Sequence, residues 1–396
     1  MLRVRMMSSG LEVASLSAED FEDGTETSGG ISVRRLKVYL STLTGQPRFR
    51  QRLLQSGSIL HDDTQLTLPM DLSLVLLSLC TPEAEKQSEI HRAIVDDDGA
   101  AMDSLLQHPF DPNLPVVEDV PCLCLAAEHG SLKSGQLLFE AKADVGGGAT
   151  SWMPPLHSAS RRGHGDFVRW LLESRADVGQ TFTDGAARIT TTALHVACAR
   201  GHLDVLQALI DAGANVNMLP TGSSSLRPMM IACAGGQIEA ARLLLQARAE
   251  VDCSSADGTT PLLCACERKK LDMVDFLLAA GVDMEKATFS DLFPLAVASI
   301  LGHDEIVRSL VAAGANIARR WRSPDGMLPL HIACSSGHQE TARVLIQAQA
   351  DLNVKASGST PLDMANAFGH HDVAAVIMEA MADLPRPKRR RTKGPP

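Results

Sequence analysis

The chain has 396 residues, 45% of them hydrophobic and 21% charged, enough apolar material for a large buried core and too much for wholesale disorder or a disulfide-stapled miniature. Its nine cysteines are an odd set in no framework spacing, which points to thiols buried one by one in a reducing compartment. The net charge of −10 is uneven: nearly balanced over residues 1–80, acidic over 81–383 and purely basic over 384–396, so binding to a phosphate backbone is not expected along the middle.

The first sixteen residues alternate apolar and polar, Leu2-Arg3-Val4-Arg5-Met6 and then Glu12 to Leu16 after Ser9-Gly10, which predicts a β-hairpin. They carry charges and no continuous apolar stretch, so neither a signal peptide nor a membrane anchor is expected there. A Gly-, Thr- and Ser-rich insertion, Asp23 to Gly30, precedes a predicted helix from Val33 to Thr42 that ends near Gly45. Further strands are expected in the stretch from Gln51 to Asp63 and over Asp71 to Leu76, making a compact sheet crossed by one helix. The run from Leu72 to Cys80, interrupted by serines, is half the length a membrane span needs.

Over Met1 to Leu79 this pattern resembles the ubiquitin fold, carried by Gly45-Gln46-Pro47, Gln51-Arg52-Leu53-Leu54, Gly57, Leu60, Asp62, Leu66 and Leu72 to Leu76. The resemblance implies a receptor-binding apolar patch on Leu54 and Val75. Alternation agrees with that placement, since Leu72, Leu74 and Leu76 would face the core and Val75 the other side. The family's neighbouring histidine is Ser73 here. No Gly-Gly end follows, so conjugation to other proteins is not implied.

From Ser88 onward one signature recurs, clearest in Thr192-Ala193-Leu194-His195-Val196-Ala197 with Gly201-His202 and in Leu328-Pro329-Leu330-His331-Ile332-Ala333 with Gly337-His338. Its first positions are Ser88, Pro121, Pro154, Thr192, Arg227, Thr260, Phe293, Leu328 and Thr360, at steps of 32 to 38 residues. This period and signature resemble the ankyrin repeat. A short helix of small residues, a Gly-His turn, a longer helix with an apolar stripe and a projecting loop would make each unit. No unit can hide its stripe alone, so the units must stack. Lys142, Arg175, Arg248 and Gln349 stand where the helix exit favours glycine, and Lys269-Lys270 replaces one Gly-His turn.

The expected architecture is therefore mostly α: a solenoid of eight or nine helix-turn-helix units over residues 88–383, preceded by a small α+β (β-grasp) domain at 1–80 and a joint at 81–87, and followed by a basic tail at 384–396. Nine of the thirteen histidines fall on the repeat's own two histidine positions, where a structural role is the default. No catalytic constellation, cofactor motif or metal spacing is found. Candidate contact residues lie on projecting loops: Trp152, Phe182 and Arg188, and the cluster Arg319-Arg320-Trp321-Arg322, because Trp and Arg dominate interface hot spots. Trp170 falls on an apolar stripe that predicts core. The tail's Lys388, Arg389, Arg390 and Arg391 resemble a nuclear import signal. These features point to a non-enzymatic adaptor for proteins, nuclear or cytoplasmic, with a ubiquitin-pathway partner implied for the head; the alternative is a nuclear regulator that masks or recruits a transcription-related partner.

Overall fold

In the computed structural model, residues 1–16, 31–117, 120–147, 152–184, 189–219, 226–322 and 326–383 are described. They form two compact units that divide between Phe182 and Thr183.

At the N-terminus the alternation is realised: Leu2 and Val4 of β1 (Leu2–Met6) and Ala14 and Leu16 of β2 (Glu12–Leu16) are buried, while Arg3 and Arg5 are exposed. After β3 (Ile31–Ser32) comes α1 (Val33–Thr44), which starts where the Ser32 hydroxyl accepts the Arg35 N–H and stops at Gly45 with φ 69°. Its Val33, Leu36 and Leu40 pack on a sheet completed by β4 (Gln51–Gln55), β5 (Ser58–Ile59) and β7 (Met70–Leu76), with β6 (Gln65–Leu66) paired to β3. The strand order is β2-β1-β7-β4-β5. The central pair, β1 and β7, is parallel, and its neighbours run antiparallel.

Among the described residues eighteen helices follow α1 and pair as nine hairpins. In the first unit these are α2 (Ala84–Val95) with α3 (Gly99–Leu106), α4 (Cys122–His129) with α5 (Leu132–Glu140), and α6 (Pro155–Arg162) with α7 (Gly165–Glu173). The helix α2 begins four residues before Ser88, inside the stretch expected as a joint, because Glu83 ends the extended chain after Pro82 and Glu85 adds an acid to the first turn. The second unit holds α8 (Ala193–Arg200) and α9 (Leu203–Asp211), α10 (Pro228–Gly235) and α11 (Ile238–Gln246), α12 (Pro261–Glu267) and α13 (Leu271–Ala279), α14 (Pro294–Leu301) and α15 (Asp304–Ala312), α16 (Pro329–Ser336) and α17 (Gln339–Gln347), and α18 (Pro361–Ala367) and α19 (His371–Asp383).

Within each unit, inner helices touch inner helices along the chain. Five residues after every signature start stands an alanine: Ala93, Ala126, Ala159, Ala197, Ala232, Ala265, Ala298, Ala333 and Ala365, all buried. A methyl at that register lets two backbones approach closely, and any longer side chain would force them apart. At Gly135 even a methyl is too much, since a Cβ there would meet the Phe167 ring at 2.7 Å. Trp170 does not reach the core as its stripe predicts. It lies half-buried, edge-on to Phe167 and Phe139, because Phe167 already fills the space beneath Gly135.

The histidines account for the signature. His195 Nδ1 accepts the Thr192 N–H at 3.2 Å and lies 2.7 Å from the Thr192 hydroxyl, a capping box with histidine in the acidic residue's usual place. The turn histidines instead bridge to the inner helix of the preceding hairpin: His164 Nε2 lies 3.0 Å from Glu128 O, His303 Nδ1 3.0 Å from Cys266 O, His338 Nε2 2.8 Å from Ile300 O and His370 Nε2 3.1 Å from Ser335 O. At Glu128, Ile300 and Ser335 this supplies a partner to a carbonyl at the helix end, whereas the Cys266 carbonyl also accepts the Lys269 N–H at 3.3 Å. Lys142, Arg175, Arg248 and Gln349 keep the left-handed exit conformation, with φ between 66° and 74°.

Candidate functional site

In the second unit the inner helices present a repeated apolar position. Four residues after the signature start, Val196, Ile231, Val297 and Met364 stay half-buried, short of the full burial of the alanines beside them, while Cys264 and Ile332 at the same position are buried. Between α12 and α14 this strip deepens into a groove of about 530 Å³. Its walls are Leu263 and Glu267 from α12 and Val297, Ile300 and Leu301 from α14, and its outer edge is the loop segment Thr288 to Leu292.

That segment is a tight turn closed by the Thr288 N–H to Leu292 O bond at 3.0 Å, and the Phe289 N–H donates to Asp257 O of the neighbouring loop at 2.9 Å. With its backbone held, the Phe289 side chain projects and is 85% exposed, the largest exposure among the large apolar side chains of the described residues. Leu301, at the other wall, is 42% exposed. The two charged side chains on the groove are acids, Asp257 and Glu267. The Ser255 hydroxyl, with the Thr259 N–H and hydroxyl, holds the Asp257 carboxyl below its ordinary range although burial opposes this, so it stays an anion at neutral pH.

The loop cluster found in the sequence adjoins this edge. Trp321 is half-buried, and its indole N–H donates to Ser290 O at 3.1 Å. The Arg322 N–H reaches Asp291 Oδ2 at 2.9 Å, and Arg322's side chain is exposed. Arg320 is also exposed and donates to the carbonyls of Gly326 at 2.9 Å and Lys355 at 3.2 Å. Arg319 is engaged inward: it pairs with Glu285 at 3.2 Å and Asp291 at 2.8 Å and lies over the Phe293 ring at 4.3 Å. Its three partners hold two successive loops together, which leaves little of the guanidinium for a ligand. Asp291 adopts φ 60° where the preceding loop has Gly258 at φ 86°.

The first unit places its candidates separately. Trp152 is 36% exposed ahead of Pro154. Phe182 is half-buried, its ring 6.1 Å from that of His157. On the head, Leu54 and Val75 share the sheet face away from α1 and are half-buried; Leu54 pairs across strands with Ile59, which is 57% exposed. Arg188 and the tail residues Lys388, Arg389, Arg390 and Arg391 lie outside the described residues.

Neither Phe289 nor Ile59 is among the contact residues expected from the sequence. A signal for Phe289 did exist: it occupies a loop position where the adjoining repeat carries Ala256, and an aromatic residue gains nothing there from the core. The cysteines offer no reactive site in the second unit. Burial pushes the thiols of Cys264 and Cys334 up to about 12, and Cys198 and Cys266 higher still, so no thiolate forms at neutral pH. Among the described residues no cluster of His, Cys, Asp and Glu could hold a metal ion, and no helix is long and apolar enough to cross a membrane.

The sequence pattern described as ankyrin repeats (3 copies) matches four overlapping stretches of the chain, residues 123–220, 181–254, 229–320 and 295–387. No curated protein matches the chain.

Proposed function

The chain belongs to the ankyrin-repeat family, whose repeats mediate binding to other proteins, and on that premise we propose that it acts as a non-catalytic scaffold whose main docking site is the groove between α12 and α14. The observation that carries this is Phe289. A bulky apolar side chain held out over an apolar groove by two backbone hydrogen bonds costs hydration in the free protein and gains it back only against a partner. The partner's anchoring side chain enters between Leu263, Val297 and Ile300, with Phe289 and Trp321 closing over it. Arg320 and Arg322 stand on the adjoining edge as polar contacts.

For the head we propose a ubiquitin-like domain. The reading is supported by the β2-β1-β7-β4-β5 order, the parallel central pair and the single helix packed on one face. Its Leu54, Ile59 and Val75 form a second, smaller contact surface for a component of the ubiquitin pathway.

One experiment tests both surfaces. Full-length baits carrying Phe289→Ala or Trp321→Ala should capture the repeat partner at least about tenfold less well than the natural protein, as truncation of a hot-spot aromatic does. A bait carrying Leu54→Ala and Val75→Ala should lose a different set of proteins. Undiminished capture by folded Phe289→Ala protein would remove the groove from consideration.

A further inference from the structure

The residues that join the head to the first two hairpins look, in sequence, like an ordinary charged surface. In the structure Arg48 follows α1 in a short 3₁₀ turn, and its side chain is only 2% exposed. Its guanidinium is used on every side. Nε donates to Glu140 of α5 at 2.8 Å, Nη1 to Asp62 of the head at 3.3 Å and Nη2 to Asp103 of α3. The Phe49 ring lies 3.8 Å from its carbon centre.

Around it the contacts continue from the head to the repeats. Lys37 of α1, 2% exposed in its side chain, pairs with Asp62 at 2.5 Å, and Gln107 donates to the same carboxylate at 3.1 Å. Arg52 of β4 donates to the Gln107 carbonyl, one of the acceptors left open at the end of α3. Arg34 lies 3.6 Å from Asp103, and the Cys80 N–H donates to Pro109 O at 3.0 Å.

We propose that the head is the fixed N-terminal cap of the repeat stack, clamped by Arg48, and not an arm swinging on residues 81–87. The first hairpin has no preceding repeat to lean on, and the head fills that place with cations aimed at α3 and α5. Separation would strip Arg48 of two of its three carboxylates and leave Asp103 and Glu140 without it. Opening the junction breaks the bonds of Arg48 to Asp103 and Glu140 together with those of Gln107 to Asp62 and of Arg52 to the Gln107 carbonyl, so these charge-assisted contacts are lost as one set and not one by one. Arginine suits the position because a planar fork with five donors can serve three carboxylates, and a lysine ammonium cannot match that geometry. Any partner that touches both head and repeats then meets them at one set spacing, whatever the length of the connecting chain. The inference stands whether or not the head is ubiquitin-like and whatever the groove binds.

The test is amide hydrogen exchange on the full-length protein. The paired variant Asp103→Asn and Glu140→Gln alters only the repeat side. It should speed exchange at least about tenfold both in α2–α3 and in β4 and β7 of the head, since a shared junction opens as one. Arg48→Lys should do the same from the head side. Faster exchange confined to the repeats, with the head unchanged in the paired variant, would mean the head moves independently and would overturn the proposal; so would an absence of change in both variants. A head that unfolds in Arg48→Lys does not obscure the result, because the paired variant leaves the head's own sequence intact.

Discussion

Two kinds of junction hold this molecule together. Within each unit, the fastening between one repeat and the next is mostly neutral and iterated: a buried alanine at a common register, an apolar stripe, and often a turn histidine bridging to the carbonyl before it, with partly exposed ion pairs such as Glu128 with Arg162 and Arg319 with Glu285 added at the edges. Between the head and the first repeats it is charged and used once, with Arg48 and Lys37 nearly sealed from water among Asp62, Asp103 and Glu140. An iterated neutral interface tolerates variation, because the same small set of contacts recurs and no single one is indispensable. A buried ionic interface fits one partner in one orientation, and loses far more when a single member is removed.

The contrast can be broken most sharply at Asp62, the carboxylate that serves both Lys37 and Arg48. Asp62→Asn leaves two nearly buried cations short of countercharge and should destabilise the first unit by about 3 kcal/mol or more. Trp152 and Trp170 lie in that unit and Trp321 in the other, so fluorescence of single-tryptophan variants during denaturant unfolding reports each unit by itself. A loss below about 1 kcal/mol in the first unit would mean the network is no stronger than a surface ion pair.

Acidification should separate the junctions by pH. Burial, with Arg320 nearby, holds the His331 imidazole below its ordinary value of 6.5, so the unfolded chain takes up a proton that the folded one resists. The associated stability of the second unit is complete above about pH 6.5 and declines as pH falls below it. Burial pushes the Asp62 carboxyl up, but Lys37, Gln107 and Arg48 together hold it below the usual carboxylate range. Its contribution to the first unit is therefore present above about pH 4 and lost only on further acidification. Unit-resolved unfolding between pH 7 and pH 5 should show the second unit weakening first, and His331→Gln should flatten that slope.

The smallest effect is expected at the helix exits. Arg248 and Gln349 hold φ 66° at positions that favour glycine. Substituting glycine relieves a left-handed strain of about 1–2 kcal/mol but adds freedom to the unfolded chain, for a net gain of up to about 1 kcal/mol at each site. Thermal unfolding of Arg248→Gly and Gln349→Gly should show a small upward shift; a downward one would mean that the aliphatic stems of these side chains pack on their neighbours.

Much of the solenoid was legible because each repeat restates it. The alanine register, the Thr-Pro starts and the Gly-His turns each recur within a short window, and the contacts they specify are local or lie one period away. The head's strands were legible for a similar reason, since alternation in Leu2 to Met6 and Leu72 to Leu76 marks one buried face. The end of Trp170's stripe misled because its burial depended on Phe167 and on the space that Gly135 leaves. Arg319 looked like a loop-tip contact residue, and nothing near it in the chain indicated that Glu285 and Asp291 would engage it.

By itself, then, the chain's order of residues settles the repeat unit, its period and where most of its helices lie, because hydrophobic spacing and caps act over a few residues. Which charged groups become buried partners was decided only in three dimensions. Arg48 meets Glu140 and Asp103 across 92 and 55 positions of sequence, and Phe289 overhangs a groove whose walls come from two different hairpins. A charge or an aromatic ring has the same appearance in a sequence whether it faces water or a neighbour, and its role depends on what the folded chain brings within a few ångströms of it.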